Sequence, residues 1–216
     1  MPFVDVSFRL HGKLIPADHG YHLFSAISKI IPDLHGDNEI GLHPISGKIT
    51  DNRCLALAPR SSIIFRIEAN RIKQILPLAG KKLRIGEHEV RVGVPQTKAL
   101  KPNDRLYSRL VVIKGFMEPE TFLEAARRQL DALIVKGTPA LVAQAQLVKH
   151  SEGQRSGSHS PFLRRTIRIR DKEIVGFALK VDGLTTDESF RLQEKGLGGR
   201  RRFGCGIFIP DRKKAL

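Results

Sequence analysis

The residues best equipped for chemistry lie near the C-terminus, in "EKGLGGRRRFGCGIF" (194–208). Gly196, Gly198, Gly199, Gly204 and Gly206 alternate with Arg200, Arg201 and Arg202. Glycine permits positive φ and close approach of a second backbone, and successive turn N–H groups can form a concave anion site. Arginine adds planar, bidentate donors toward phosphate. The bland alternative is a helix C-cap followed by a glycine-bulged turn. A nucleotide loop is excluded, because no Gly-Lys-Ser/Thr follows and the glycines end a helix and open a strand. The proton-transfer candidates are histidines, of which the chain has eight. His19, in "ADHGYHLF", enters a helix, where the dipole disfavours the imidazolium and suits a general base. His35, in "DLHGDNEIGL", falls beyond Pro32, and a helix C-terminus there suits proton donation. His22 falls opposite the apolar stripe of its helix and His43 precedes a proline; both read as structural or solvated. No His, Cys or carboxylate cluster has metal-ligand spacing, so no metal is expected.

The charge balance names the kind of partner. Lys and Arg total 37 against 22 Asp and Glu, a net charge of +15 in 216 residues. Such an excess favours a polyanion through attraction and counterion release. A membrane surface would also attract it, but no apolar run of spanning length and no isolated basic amphipathic helix is present. The N-terminal "MPFVDVSFRL" lacks the layout of a signal peptide, and two cysteines are too few for a disulfide framework. A reduced, cytoplasmic protein is the expectation.

The elements that must position these residues follow from periodicity. "FVDVSFRL" (3–10) alternates as a half-buried strand, and 16–36 reads as a helix with Asp18 as N-cap and Leu23, Phe24, Ile27, Ile30 and Ile31 inward. "EIGLHPISGKI" and "SSIIFRIE" read as strands, "NRIKQILPLAG" as a short helix and "KLRIGEHEVRVG" as a strand or hairpin. "PQTKALKPND" reads as a linker. The order then repeats: strand "RLYSRLVVIKG", an acidic-capped helix over 118–135, a strand at "ALVAQAQLVKH", a Ser/Gly loop at "SEGQRSGSHSP", the hairpin "LRRTIRIRDKEIVGFALKV", the helix "TTDESFRLQEKG" and the strand "CGIFIP". Two successive β-α-β-β-α-β units predict an α+β chain of two tandem ferredoxin-like domains, 1–96 and 104–216. In "LRRTIRIRD", alternation sends Arg164, Thr166, Arg168 and Arg170 to one face, a cationic stripe suited to a phosphate backbone. Aromatics are 6% with no Trp, which gives little support to base stacking on an open sheet.

Gly196-Leu197-Gly198, five residues, then Gly204-Cys205-Gly206 fit the pattern Gly-h-Gly-x5-Gly-h-Gly, with h apolar. In this position, between the last helix and last strand of a second ferredoxin-like unit, the motif resembles the C-terminal signature of the CRISPR repeat-processing endoribonucleases of the RAMP superfamily. The resemblance implies a metal-independent cut in CRISPR precursor RNA: the 2′-hydroxyl attacks the adjacent phosphate, leaving a 2′,3′-cyclic phosphate and a 5′-hydroxyl. It implies no cofactor. Relatives carry a histidine in or just after the first helix, which points to His35, with His19 second and the acid/base division open. Tyr21 could orient a catalytic group, stack on a base or simply pack. The implied partners are CRISPR repeat RNA, as hairpin and flanking single strand, and other CRISPR effector subunits, with the product retained. RNA contacts are expected from the glycine loop, Arg200–Arg202, Arg164, Arg168 and Arg170. The rival readings are a non-catalytic RNA-binding subunit of a CRISPR effector complex and, more weakly supported, a generic RNA-binding protein.

Overall fold

A computed structural model describes residues 1–144 and 161–211. The end of the strand expected over 140–150 and nearly all of the Ser/Gly-rich loop lie outside the described residues. Two compact units emerge. The first comprises Met1–Leu100 with Ile167–Glu173 and Arg200–Gly204, and the remaining described residues form the second.

In the first unit, β1 (Phe3–His11) is the central strand. It is followed by β2 (Leu14–Pro16), α1 (Gly20–Ile30), β3 (Gly41–Leu42), β4 (Gly47–Ile49), β5 (Cys54–Leu57), β6 (Ser62–Glu68), β7 (Lys82–Ile85) and β8 (His88–Ala99). The main antiparallel sheet runs β3-β6-β1-β8-β7. The run β8-β1-β6-β3 is the 4-1-3-2 order of a ferredoxin-like domain. The segment "EIGLHPISGKI" is not one strand, because β3 joins this sheet whereas β4 joins a small sheet of order β2-β5-β4; Pro44 lies between them, where a ladder N–H would be missing. The expected second helix is instead two 3-10 segments, Ala69–Gln74 and Leu76–Leu78, with Pro77 in the first turn of the latter. Nor is "PQTKA" a linker: Pro95–Ala99 completes β8, pairing from Phe8↔Pro95 to Val4↔Ala99 after a bulge that sets Gly93 and Val94 against Arg9.

Alternation along β1 buries Val6, Phe8 and Leu10 with Leu23, Phe24 and Ile27 of α1 in one core. Full burial of each such side chain is worth about 1.5–3 kcal/mol. The opposite register position carries charge. Asp5 faces Arg66 across the β1–β6 ladder, and Arg66, 1% exposed, donates from Nε and Nη2 to the two Asp5 oxygens, both at 2.9 Å. Buried His43 places Nε2 3.4 Å from Asp5 Oδ1.

The topology repeats with β9 (Leu106–Val111), α2 (Pro119–Ala132), β10 (Thr138–Leu141), β11 (Arg164–Ile169), β12 (Lys172–Asp182), α3 (Thr186–Lys195) and β13 (Ile209–Pro210), all in the second unit except the end of β11 and the start of β12, which fall within Ile167–Glu173 of the first. The sheet order in this repeat is β10-β12-β9-β13, with β11 added on β12. The mixed α+β chain therefore has tandem ferredoxin-like units. Thr185 caps α3 in a reciprocal capping box with Glu188. Beyond the helix, Gly196, Gly198, Gly204 and Gly206 have φ of 66°, 69°, 90° and 66°. A Cβ on Gly198 would lie 2.3 Å from the Val112 carbonyl oxygen, and one on Gly206 2.0 Å from that of Leu197. The glycines fold the chain onto itself.

Burial pushes the His43 imidazole below its ordinary 6.5, helped by the Arg66 and Arg201 charges and opposed by Asp5. Burial alone would raise the Asp5 carboxyl above its ordinary 3.8, but hydrogen bonds and charge from His43 and Arg66 hold it far below. Both folded-state values are depressed, so the unfolded chain binds more protons on acidification and stability falls with pH. Thermal unfolding should show loss of stability beginning as pH drops below about 6.5 and a second loss below about 3.9. H43Q should shrink the first step and D5N the second, whereas a wild-type midpoint constant from pH 7 to 3 would contradict both shifts. Separately, G198A and G206A should each lose more than the roughly 1–2 kcal/mol of a left-handed residue, since a backbone oxygen also blocks the new methyl. G199A meets nothing within 4 Å and should stay within about 0.5 kcal/mol of wild type in denaturant unfolding. Equal stability of all three variants would refute the packing role.

Candidate active site on the first unit

The first unit gathers the proton-transfer candidate and the arginine run in one place. Between Arg200 and Gly204, both at left-handed φ, residues Arg201–Phe203 form one 3-10 turn. This turn seats on α1 because Gly20 has no side chain: a Cβ there would be 2.6 Å from the Phe203 carbonyl oxygen. Phe203 then meets Phe24 edge-on at 5.4 Å and Tyr21 at 6.1 Å between ring centroids. On its other side, Gly204 lies against Leu42 and Pro44.

His35 follows a single 3-10 turn, Pro32–Leu34, that Pro32 opens after α1. Its N–H donates to the Pro32 carbonyl at 2.9 Å, its carbonyl accepts from Arg202 Nη1 at 2.8 Å, and its exposed ring stacks on Phe24 with centroids 6.5 Å apart and planes at 27°. Two residues on, Asp37 Oδ1 accepts from the Glu39 N–H at 2.8 Å while Oδ2 pairs with Arg71. Burial would raise the Asp37 carboxyl, but Arg71 and the backbone donors hold it below the usual range. The loop carrying His35 is thus pinned on both sides while the imidazole faces solvent.

The three arginines are not equivalent. Arg200 is exposed, Arg202 half-buried and Arg201 only 8% exposed. Burial, with the nearby Arg66 charge, pulls the Arg201 guanidinium down to about 10 against the opposing pull of Glu39 and Asp37. The expectation of three surface arginines is corrected accordingly: Arg201 belongs to the interior. Arg168 and Arg170 are exposed, and Arg170 occupies the β11–β12 turn at φ 55°. The alternation read for β11 holds, with Arg164, Thr166 and Arg168 outward and Ile167 buried. In the second unit, the Arg164 guanidinium lies over the Phe177 ring at 5.8 Å.

His19 and the glycine N–H groups have other tasks. His19 is 5% exposed; its Nε2 accepts from the Ile45 N–H at 2.9 Å and its Nδ1 faces the Pro16 carbonyl at 3.2 Å. One neutral tautomer, with the proton on Nδ1, satisfies both contacts, and the ring cross-links the entry of α1 to the chain after β3. Asp18 is not the N-cap of α1. That position is held by His19 without a side-chain cap bond, and Asp18 Oδ2 accepts instead from the Arg168 N–H at 2.7 Å. The expected cradle of glycine N–H groups also fails. Those of Gly196, Gly199, Gly204 and Gly206 donate to the carbonyls of Leu192, Val112, Arg201 and Leu110, and that of Gly198 to Gln129 Oε1 at 2.7 Å.

The residues missed by sequence reasoning are Gly20, Phe24 and Phe203 in their site-building roles. Phe203 carried a usable signal, since a phenylalanine among arginines in a polar loop needs an apolar seat. Among the described residues, no three His, Cys, Asp or Glu side chains converge as a metal-holding group, and no helix is long and apolar enough to cross a membrane.

Known proteins share this architecture. The Cas6 family model, described as Cas6 Crispr, matches residues 4–213. A CRISPR-associated endonuclease Cas6 of Myxococcus xanthus (strain DK1622) is 36% identical over 215 residues, covering 100% of this chain and 84% of the relative. Among solved structures, a Cas6-related gene product from Pyrococcus furiosus aligns with a TM-score of 0.68 at 13% identity, covering 98% of this chain and 100% of the other. A RAMP protein that binds different RNA substrates aligns at 0.67 and 14% identity, covering 95% and 98%. At such identities the structures show the fold, while the family match and the full-length relative decide kinship: the chain belongs to the Cas6 family, endonucleases that act on CRISPR RNA.

Proposed function

We propose that this chain cuts CRISPR precursor RNA within its repeats, without a metal ion, by attack of a 2′-hydroxyl on the adjacent phosphate. The products are a 2′,3′-cyclic phosphate and a 5′-hydroxyl, and the protein keeps its cleaved RNA for other CRISPR effector subunits. One observation carries the reading: an exposed imidazole, His35, is fixed by its backbone beside a turn of arginines. Such chemistry needs a group that moves a proton and cations that offset charge on the phosphorane-like transition state. As the 2′-oxygen bonds to phosphorus and its proton passes to solvent water, the bond to the 5′-oxygen breaks and His35 protonates that departing oxygen. Arg200, exposed on the same turn, supplies positive charge toward phosphate, and Arg168 and Arg170 hold the flanking backbone. His19, with both ring nitrogens engaged by backbone groups, keeps the helix entry in place.

Incubation of the protein with repeat RNA in EDTA should yield discrete fragments, and a 2′-deoxy sugar just 5′ of the cut should abolish them. H35A should bind RNA nearly as well as wild type while losing roughly 100- to 10,000-fold in cleavage rate. Strict Mg²⁺ dependence, or cutting of the deoxy substrate, would falsify the cyclic-phosphate route. Tight binding with no cleavage at all would assign the chain the non-catalytic role. For grip, Arg200, Arg168 and Arg170 are the group to replace together, since Arg201 is interior. The triple alanine variant should stay folded and lose salt dependence by about 0.7 in log K per log salt for each contact to a single strand, or about 0.9 for a B-form duplex. An unchanged slope and affinity would remove these residues from the RNA path.

A further inference from the structure

Arg202 would serve a phosphate grip poorly in the position it occupies. Its guanidinium carbon lies 5.5 Å from the Phe24 centroid and 5.3 Å from that of Phe203, two rings set at 86° to each other. A cation among aromatic faces is held there by the ring quadrupoles, more strongly where water is partly excluded. Its Nη1 is committed to the His35 carbonyl at 2.8 Å. The backbone on either side is fixed by left-handed Arg200 and Gly204, so the side chain is delivered by a rigid turn.

From the His35 side the same contact is the missing support. A single 3-10 turn leads into His35, and Gly36, with open space around it, leads out. The backbone of His35 is tied at its N–H to Pro32 and at its carbonyl to Arg202, and its ring rests on Phe24. Phe24 thus touches both the histidine and the arginine. Without Arg202, the His35 carbonyl loses its protein donor and Phe203 loses the cation that sits beside it.

We propose that Arg202 is a positioning residue: it clamps the His35 carbonyl against the Phe24–Phe203 pair and so sets the imidazole for proton transfer, leaving RNA grip to exposed neighbours such as Arg200. This inference rests on the reading of His35 as the proton-transfer group. It departs from a phosphate role in what it changes, because a positioning residue alters the rate at saturating RNA whereas a gripping residue alters affinity and salt slope. Misplacing a reacting group by about 1 Å can cost on the order of 100-fold.

The test is single-turnover cleavage of repeat RNA at saturating protein, with RNA affinity measured alongside, for wild type, R202A, R202K, H35A and the H35A/R202A double variant. R202A should lose roughly 10- to 100-fold in saturating rate with affinity within about threefold of wild type, and should add little loss in the H35A background, because it acts through His35. R202K, which keeps the charge but not the planar fork, should show the same pattern at smaller size, and it carries the test if R202A does not fold. An independent readout is the His35 imidazole NMR signal, assigned by its disappearance in H35A. It should shift or broaden in the Arg202 variants without RNA present. A wild-type rate, a loss confined to affinity, an equal loss with and without His35, or an unmoved His35 signal would each overturn the proposal. Full activity of H35A would instead sink the proton-transfer reading, whatever the Arg202 variants do.

Discussion

The site depends on a close backbone approach that glycine alone permits. At Gly20 the first turn of α1 comes near enough to the Phe203 carbonyl that a β-carbon would collide with it. This contact lets five residues from near the C-terminus, Arg200–Gly204, pack as part of the first unit. The contacts that the arginine turn makes around His35 follow from it. Phe203 finds an apolar seat on Phe24 and Tyr21, Arg202 finds two rings and a carbonyl, and Arg201 is carried into the interior. Dispersion and ring contacts fix the turn, and the turn then fixes the charge.

Charge beneath the turn is arranged with unequal partners. Asp5 offers both oxygens to Arg66 in bidentate geometry, the strongest form such a pair takes, while His43 completes the cluster. Burying an ion pair brings little net stability, because desolvation offsets the attraction, but losing one partner is costly, about 3–5 kcal/mol. The cluster therefore acts less as a source of stability than as a restriction on what can replace it. Burial first, and the Arg66 and Arg201 charges after it, hold the His43 imidazole below its ordinary value against the pull of Asp5. The interior of this unit holds positive charge in a fixed pattern, while Arg200, Arg168 and Arg170 stay exposed.

The Gly-h-Gly-x5-Gly-h-Gly signature has a structural logic distinct from ligand binding. Its glycine N–H groups are engaged by protein acceptors, and Gly198 and Gly206 occupy positive φ where a β-carbon would collide with a backbone carbonyl oxygen. The motif shapes the path from α3 to β13 so that the intervening arginines arrive at α1.

Periodicity in the sequence determined a good deal of this. Alternation in 3–10 and 164–169, the apolar stripe over 23–27 and the doubled strand-helix order all reflect local rules of side-chain direction, so the tandem ferredoxin-like fold was legible. So was His35 as an exposed residue after the first helix, since Pro32 ends α1 whatever packs on it. Local rules failed where tertiary pairing overrode them. Pro95–Ala99 is a strand only because β1 offers it a partner, and the 3-10 segments replace a helix in the stretch that contains Pro77. Asp18 could have capped α1, yet its carboxylate serves an amide 150 residues away. The same limit governed the site. Arg200, Arg201 and Arg202 are identical letters in a row, and nothing local separates them. Only the tertiary structure decided that one faces water, one is buried and one holds the histidine, because burial and hydrogen-bond partners are set by what lies opposite in space rather than by what is adjacent in the chain.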